Sequence, residues 1–201
     1  MATPQPSRQP VDAVERILVA AESLFAEHGF DAVSMSAIGE AAGVSKANVF
    51  HHFTSKNELY VAVLRNACRA AVQHLDDLSK NGAPLTERLP QFARAHLENL
   101  LEHGQVARLM LRELLSDNPR HSQELAEKVY GEKFSRFVDI LRAGQQAGEL
   151  RTDIDPAMVA TMLIGANVFF FESRDVLRHF PDVTFTQHPK HYSTMLADIL
   201  L

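Results

Sequence analysis

The chain has 201 residues and a formal net charge of −5 at pH 7, with 46% hydrophobic and 22% charged residues. This composition is that of a globular protein and excludes a low-complexity chain. The single cysteine, Cys68, excludes an intrachain disulfide framework and is typical of a reducing compartment, so we expect a cytoplasmic location.

Residues 1–10 are polar and rich in proline, and they predict a flexible arm rather than a signal peptide because they contain no apolar core. Apolar residues at helical spacing then predict a first helix from Val11 to His28, which Gly29 ends.

Residues 34–56 predict two short helices joined by a tight turn. Ser34 or Ser36 can cap the first helix, Gly43 can take the positive φ of the turn, and Ser45 can cap the second helix. This pattern is a helix-turn-helix, whose second helix enters the major groove of DNA. The alternative is an ordinary helical corner, but the second helix carries hydrogen-bond donors and no carboxylate.

Three segments at 42–46 (Ala-Gly-Val-Ser-Lys), 49–53 (Val-Phe-His-His-Phe) and 55–59 (Ser-Lys-Asn-Glu-Leu) closely resemble the DNA-binding domain of TetR-family transcriptional repressors. Residues 16–30 resemble the first helix of that domain, so the resemblance covers about the first sixty residues. It implies a homodimer that binds an operator in double-stranded DNA and responds to a small-molecule effector.

The chain departs from the usual family pattern at three positions. Gly39 stands where the family normally has alanine, which weakens the short helix by up to about 1 kcal/mol but allows close helix packing. Ala47 stands where glycine is common. Phe50 replaces a tyrosine, so a hydroxyl that normally reaches a phosphate is missing.

We predict that Lys46 and Asn48 contact base edges. Residues 1–60 hold seven acidic and four basic residues, but the second helix of the turn motif is locally cationic, so we expect modest affinity with strong salt dependence. The residues predicted to contact phosphates are Ser34, Ser36, His51, His52 and Lys56. The other predicted DNA-binding residues are Ser45, Ala47 and Phe50.

The rest of the chain reads as helical, with no strand pattern. One long helix is predicted from Lys56 to about Leu78, and residues 80–84 form a break. Further helices are predicted from Thr86 to Gly104, Ala107 to Leu115, Ser122 to Gly148, about Pro156 to His179, and Tyr192 to Leu201. We therefore predict an all-α protein with a three-helix head (11–56), a linking helix (57–78) and a C-terminal ligand-sensing and dimerisation domain (79–201).

Residues 157–171 are apolar on nearly every face, so a helix there must be covered all round. About fifteen residues with a glycine are too few to span a bilayer, and we expect no membrane association. A homodimer in which this helix and the last helix form a four-helix interface would cover both faces; the alternative is a central helix in a monomer. The predicted interface residues are Met158, Met162, Phe169, Phe170, Leu196 and Leu200.

A ligand cavity in the C-terminal domain is a further possibility, because methionine and phenylalanine make adaptable apolar walls. Plain core packing, with an Arg112–Glu113 ion pair on a helix face, is the alternative. The candidate lining residues are Phe92, His96, Met110, Arg112, Phe134, Phe137, Met162, Asn167 and Phe170.

No enzyme motif is present, and His188 and His191 lack further ligands at metal-binding spacing, so we expect no catalytic activity, cofactor or metal. The predicted function is a repressor that binds a palindromic operator as a homodimer and is released by a small apolar or amphipathic effector. The alternative is a helical protein-interaction module that does not bind DNA.

Overall fold

The computed structural model describes residues 12–80, 82–115 and 119–200, and this part of the chain contains helices and no strands. The all-α prediction is confirmed, whereas the predicted arm at residues 1–10 lies outside the described residues. The α-helices are α1 (Ala13–His28), α2 (Met35–Ala41), α3 (Lys46–His52), α4 (Lys56–Ala67), α5 (Arg69–Ser79), α6 (Leu85–Glu102), α7 (Gly104–Leu114), α8 (Pro119–Leu125), α9 (Gly131–Gln146), α10 (Pro156–Leu177) and α11 (Pro189–Leu200).

Local side-chain caps start the first four helices. Asp12, Ser34, Ser45 and Ser55 each accept a hydrogen bond from a backbone N–H in the first turn of the helix that follows. Such a cap stabilises a helix start by about 1 kcal/mol, because the first N–H groups have no partner within the helix. Because these caps act within four residues, the starts of α2 and α3 could be predicted from the sequence.

The first hydrophobic core is not confined to the head. Ile17, Phe25 and Ile38 of the head are fully buried in the same cluster as Leu64 of α4 and Leu109 of α7. The head therefore packs directly on the beginning of the C-terminal part, and α7 lies against α1.

The predicted long helix from Lys56 to Leu78 is wrong in one respect, since the structure divides it at Cys68. This residue has φ −80° and ψ 1°, and α4 ends before it while α5 begins after it. The two halves pack into different cores: Leu64 of α4 lies in the first, whereas Leu75 and Leu78 of α5 lie in the second. We attribute the bend to these two packing surfaces.

The predicted single helix from Ser122 to Gly148 is also interrupted. A π-helical turn at Ala126–Tyr130 separates α8 from α9, and the N–H of Gly131 donates to the carbonyl of Ala126. A Cβ at position 131 would collide with that carbonyl oxygen, so glycine is needed where the π turn ends. Hydrophobic periodicity does not reveal a single wide turn of this kind.

The second core lies between α5, α6, α9, α10 and α11, around Leu89, Phe137, Leu141, Leu163 and Ala197. The loop predicted between α10 and α11 contains a 3₁₀ turn at Phe185–Gln187. A smaller cluster continues along α10, with Leu97, Ala107, Phe170 and Phe171 as its buried members.

Helix α10 has 22 residues, which is longer than the fifteen-residue apolar stretch seen in the sequence. By length and composition alone it meets the criterion for a membrane-crossing helix, and it is the helix within the described ranges that does so. Core helices of globular proteins meet this weak criterion too, and α10 packs on α6, α9 and α11.

Candidate functional site

The turn between α2 and α3 has the geometry that the sequence predicts. The Oγ of Ser34 accepts from the N–H of Ala37, and the Oγ of Ser45 accepts from the N–H of Asn48, both at 3.1 Å. Gly43 has a φ of 65°, which is the conformation that favours glycine. The three elements that the helix-turn-helix interpretation required are therefore present.

One contact that the sequence did not reveal holds this turn in place. The guanidinium of Arg16 on α1 donates to the carbonyl of Ala42 at 3.2 Å. A Cβ on Gly39 would lie 3.0 Å from the carbonyl oxygen of Val44 and 3.3 Å from a methyl group of Val49. The lack of a side chain at position 39 therefore allows α2 and α3 to approach closely, as expected for this substitution.

The outward face of α3 is cationic and apolar. The ammonium group of Lys46 lies on this face, 5.9 Å from the centre of the exposed ring of Phe50. No carboxylate stands on α3, so the face presents nothing that repels a phosphate. The predicted DNA-binding residues exposed on or beside this face are Ser34, Ser36, Ser45, Lys46, Ala47, Phe50 and His51.

Two predicted contact residues on α3 are only partly exposed. Asn48 is half-buried, and its Oδ1 is enclosed with no hydrogen-bond partner among the described residues. Contact of this oxygen with a base edge therefore requires a different rotamer. His52 is also half-buried, and its ring lies edge-on to that of His51 with centroids 5.0 Å apart.

The structure gives Lys56 a different role from the predicted phosphate contact. Its ammonium group donates to the carbonyl of Phe30 at 2.9 Å and to that of Val33 at 3.1 Å, and it lies 4.3 Å from the centre of the Phe30 ring. Lysine has three N–H donors, and the connection between α1 and α2 takes up at least two of them. Lys56 therefore ties α4 to this connection.

A carboxylate occupies the start of α4. Glu58 accepts from both the N–H and the hydroxyl of Thr54, at 2.7 and 2.6 Å, and these hydrogen bonds lower the pKa of the Glu58 carboxyl. The first turn of α4 consequently already has an anion of its own, which weighs against a phosphate binding there.

The nine candidate cavity residues do not line one cavity. Met110 packs with the first core, and the guanidinium of Arg112 lies beside Gly29 at the end of α1, where its Nε is 3.9 Å from the Glu113 carboxylate. This is the ion pair of the alternative interpretation. Phe134 and Met162 are exposed on the surface. The prediction placed these residues together because periodicity identifies an apolar helix face without identifying its partner.

Four of the nine do meet, between α6, α9 and α10. The ring of Phe92 lies 4.6 Å from that of Phe137 and parallel to that of His96 at 6.4 Å. Asn167 is fully buried; its amide donates to the carbonyl of Ala93 at 2.8 Å and lies 3.1 Å from Nδ1 of His96. Phe170 lies further along α10 and stacks on Tyr192 at 4.4 Å.

An open cleft of about 480 Å³ lies elsewhere, between the α4–α5 bend and the π turn. Leu18, Ala62, Val72 and Val129 provide apolar walls, and Glu127 and Glu132 also line the cleft. It touches both the head and the C-terminal part, through α1 and α9. Its cationic lining residues are Arg65, Arg69, Lys128 and Lys133.

The predicted dimer residues divide into two groups. Met158, Met162 and Phe169 are exposed on one side of α10, and the side chain of Phe169 is 64% accessible. Phe170 and Leu200 are buried within the chain's own core, so their assignment to the interface was wrong, and Leu196 is half-buried. The exposed apolar residues that the prediction missed are Val176, Met195 and Ile199.

Within the described ranges, no group of three histidine, cysteine, aspartate or glutamate side chains is placed to hold a metal ion.

This is the architecture of a helix-turn-helix DNA-binding regulator. Residues 17–63 match the "Bacterial regulatory proteins, tetR family", and residues 82–171 match the "Tetracyclin repressor-like, C-terminal domain". The chain is 31% identical over 150 residues to the HTH-type transcriptional regulator RutR of Escherichia coli K12, covering 73% of this chain and 68% of RutR. The chain belongs to the TetR family.

Other relatives agree with this assignment. The HTH-type transcriptional repressor KstR2 of Mycolicibacterium smegmatis is 28% identical over 162 residues, which cover 79% of this chain and 77% of KstR2. The solved structure of Salmonella enterica GusR has a TM-score of 0.71 at 26% identity and covers 96% of this chain and 100% of its own. A Clostridium perfringens putative fatty acid metabolism regulator shares the fold, with a TM-score of 0.75 at 19% identity over 92% of this chain and 98% of its own. The chain is a transcriptional regulator and not an enzyme.

Proposed function

We propose that the chain is a repressor that binds a palindromic operator as a homodimer, one α3 helix per half-site. The observation that carries this proposal is the outward face of α3, which is cationic and free of carboxylates in a chain of net charge −5. Two recognition helices related by a twofold axis reach successive major grooves about 34–36 Å apart. Residues 11–56 would bind DNA and residues 79–201 would sense a ligand and dimerise, in a cytoplasmic protein.

Lys46 is our candidate for contact with a base edge, because it stands in the first turn of α3, which reaches deepest into the groove. Ser34, Ser36 and His51 are candidates for phosphate contacts, since they are exposed beside it. Asn48 remains a candidate base contact, and its Oδ1 would take part only after the rotamer change described above.

Selection of duplexes from a random pool, followed by titration at several salt concentrations, tests this part. We expect Lys46→Ala to weaken binding to the selected duplex and to reduce the slope of log affinity against log salt by about 1. Arg142→Ala removes an exposed cation on α9, far from the turn motif, and should change neither quantity. Absence of any salt-dependent binding would favour the protein-interaction module instead.

Dimerisation is supported by the exposed apolar side of α10 and α11. A helix side with Met158, Met162, Phe169 and Val176 in water is unfavourable, because burying apolar area yields about 25 cal/mol per Å². Sedimentation of the chain without DNA measures its oligomeric state directly, and a monomer at micromolar concentration would contradict the proposed homodimer.

We propose that the effector is an amphipathic anion. The cleft beside the π turn combines apolar walls with four cations and two carboxylates, and its volume lies in the range of small-molecule sites. Lys128 is paired with Glu124 at 2.8 Å, so the cation we assign to the ligand is Arg69. It is in contact with α1 and α4 on one side and with the π turn and α9 on the other, so a ligand there would join the head to the C-terminal part. We propose this cleft in place of the cavity predicted from the sequence.

The mechanism requires a ligand with different affinity for the DNA-bound and the free arrangement of the heads. A tenfold loss of operator affinity needs about 1.4 kcal/mol of coupling, and the operator must weaken ligand binding by the same factor. Calorimetric titration with dodecanoate, with and without saturating operator, measures both sides of this relation.

Dodecanol, which has the same chain without the charge, is the matched control ligand. Arg69→Ala should weaken binding of dodecanoate and leave binding of dodecanol unchanged, since only the carboxylate needs the cation. Equal affinity for the two ligands, or an affinity for dodecanoate that saturating operator does not change, would contradict the proposed effector site.

A further inference from the structure

The exposed side of α10 has a regular and reversible spacing. Among its exposed positions, 158, 162, 165, 169, 172 and 176 form one stripe along the helix, with successive steps of 4, 3, 4, 3 and 4 residues, and Thr161 and Asp175 are exposed beside it. This is the 3-4 alternation of a coiled-coil seam, in which one helix packs along another. Read from either end, the order of the steps is the same, and position 167 lies at its centre.

A second copy of the chain related by a twofold axis would run antiparallel along this seam. In a twofold interface, if residue i contacts residue j then j also contacts i. With the axis at position 167, position 158 faces 176 of the partner, 162 faces 172, and 165 faces 169. Every seam position then meets a seam position.

The shapes at the centre of the seam are complementary. Phe169 is the most exposed large apolar residue on α10, and one turn before it Gly165 leaves open space. Apart from its chain neighbours and the adjacent backbone of the helix, no atom lies within 4 Å of where a Cβ at position 165 would stand. A phenyl ring is a projecting knob and a glycine leaves a hole, and a twofold axis between them brings each knob to the partner's hole. The close approach of two backbones also needs a small residue at the crossing point.

The charges along the helix suit the same arrangement. Asp155 is exposed at the N-terminal end of α10, and Arg178, whose guanidinium lies 3.5 Å from the Asp175 carboxylate, is exposed just beyond its C-terminal end. In an antiparallel pair these two ends meet, so the acidic end of one helix lies beside the basic end of the other and the helix dipoles oppose. Glu172, the one charged seam residue, is paired with Arg108 of its own chain at 3.5 Å.

We propose that the homodimer forms with Phe169 of each subunit seated on Gly165 of the partner, at the centre of an antiparallel α10 pair. This rests on the proposed homodimer and specifies its register. Met195 and Ile199 of α11 flank the seam and would complete a four-helix interface.

Cysteine cross-linking tests the register. Chains carrying Gly165→Cys and chains carrying Phe169→Cys, both with Cys68→Ala, are mixed under denaturing conditions, refolded together and oxidised. Facing positions at a close helix crossing meet the Cα separation of a disulfide, about 4.4–6.8 Å. We expect covalent dimers in the mixture and few in either unmixed sample, because positions 165 and 165 of two subunits lie on opposite sides of the axis.

A mixture of Met162→Cys with Phe169→Cys is the matched control, since position 162 faces 172 in the proposed register. Cross-links as abundant in this control as in the 165–169 mixture would overturn the register. A chain that dimerises but gives no 165–169 cross-link would also overturn it while leaving the homodimer intact. A chain that sediments as a monomer would overturn both.

Exchange of the two residues provides a second measurement. Phe169→Gly alone and Gly165→Phe alone should each raise the dimer dissociation constant at least tenfold, because each leaves two holes or two colliding rings at the axis. The double variant Gly165→Phe, Phe169→Gly restores a ring against a glycine across the axis and should recover most of the affinity. A double variant no tighter than the weaker single variant would contradict the proposed contact.

Discussion

The side-chain amide of Asn167 on α10 lies 3.1 Å from Nδ1 of His96 on α6, with its other N–H on the Ala93 carbonyl at 2.8 Å. Because the amide nitrogen is a donor, Nδ1 must be the unprotonated nitrogen, and the ring is therefore neutral. Burial, and secondarily repulsion from His74, lower the pKa of His96 to about 4. The half-buried His96 ring, held by the buried Asn167 amide, is therefore uncharged at neutral pH.

His96 should make stability depend on pH. Between its ordinary pKa of 6.5 and about 4, the unfolded chain binds a proton that the folded chain does not, so the free energy of unfolding falls as pH falls through this window. Each unit of pKa shift changes the free energy of unfolding by up to about 1.4 kcal/mol, and by less because the half-buried ring keeps some contact with water. The glutamine of a His96→Gln variant has no proton to gain in this range. Urea unfolding between pH 7 and 4 should therefore show a smaller fall in the free energy of unfolding for this variant than for the unaltered chain. His179→Gln, at an exposed histidine, should decline as the unaltered chain does; parallel curves for His96→Gln would contradict the prediction.

Lys56 should matter for stability and not for DNA. Lys56→Met leaves the Phe30 and Val33 carbonyls without their charged donor, and we expect the free energy of unfolding to fall by about 1–3 kcal/mol with the salt slope of DNA binding unchanged. Lys46→Ala should do the reverse, lowering the slope and leaving stability within about 0.5 kcal/mol. Urea unfolding and salt titration of both variants measure the contrast. A lower salt slope for Lys56→Met at full stability would restore the phosphate contact predicted from the sequence.

The turn of the helix-turn-helix should be sensitive to backbone conformation at Gly43. Alanine at a φ of 65° costs about 1–2 kcal/mol, whereas asparagine adopts that region more readily. We expect the urea midpoint to fall in the order Gly43, Gly43→Asn, Gly43→Ala. Gly82→Ala, at a glycine with free space around it and no positive φ, should leave the midpoint nearly unchanged. Equal midpoints for the alanine variants would show that the turn tolerates a different conformation.

Removal of the hydroxyl should change the free energy of unfolding differently at Tyr130 and at Tyr192. The Tyr130 hydroxyl is buried and has no hydrogen-bond partner among the described residues, so Tyr130→Phe should leave the free energy of unfolding unchanged or raise it by about 1 kcal/mol. The Tyr192 hydroxyl donates to the Ala166 carbonyl at 2.9 Å, so Tyr192→Phe should lower it by about 1 kcal/mol. Thermal or urea unfolding of the pair gives the comparison, and a loss for Tyr130→Phe would reveal a partner for its hydroxyl.

The helix-turn-helix was predictable because its determinants are local. Ser34 and Ser45 each cap a helix within three residues, and Gly43 sets its own φ. Lys56 shows where such reasoning ends: a lysine beside a DNA-binding helix suggests a phosphate, but its actual partners are carbonyls at positions 30 and 33. Those partners are distant in sequence, and only the packing of α4 on α1 brings them within reach.

In the C-terminal part, the sequence predicted where the helices lie better than it predicted which side of each helix is buried. Phe169 and Phe170 are adjacent, yet one is exposed and the other is buried, because successive residues on a helix point about 100° apart. In a helix that is apolar all round, the sequence does not mark which side meets the chain's own core. Met110 and Arg112 were misplaced for the same reason, since α7 turns towards α1 rather than towards the core around Phe92.

The π turn at Ala126–Tyr130 holds one residue more than an ordinary helical turn. The stretch from α8 to α9 therefore carries a single-residue insertion that the helix has absorbed without a loop. Loss of one residue there would restore an even α-helix and rotate α8 by about 100° about its axis relative to α9. Family members that differ by one residue in this stretch could thus keep every helix and still offer a different set of side chains to the cleft beside α4.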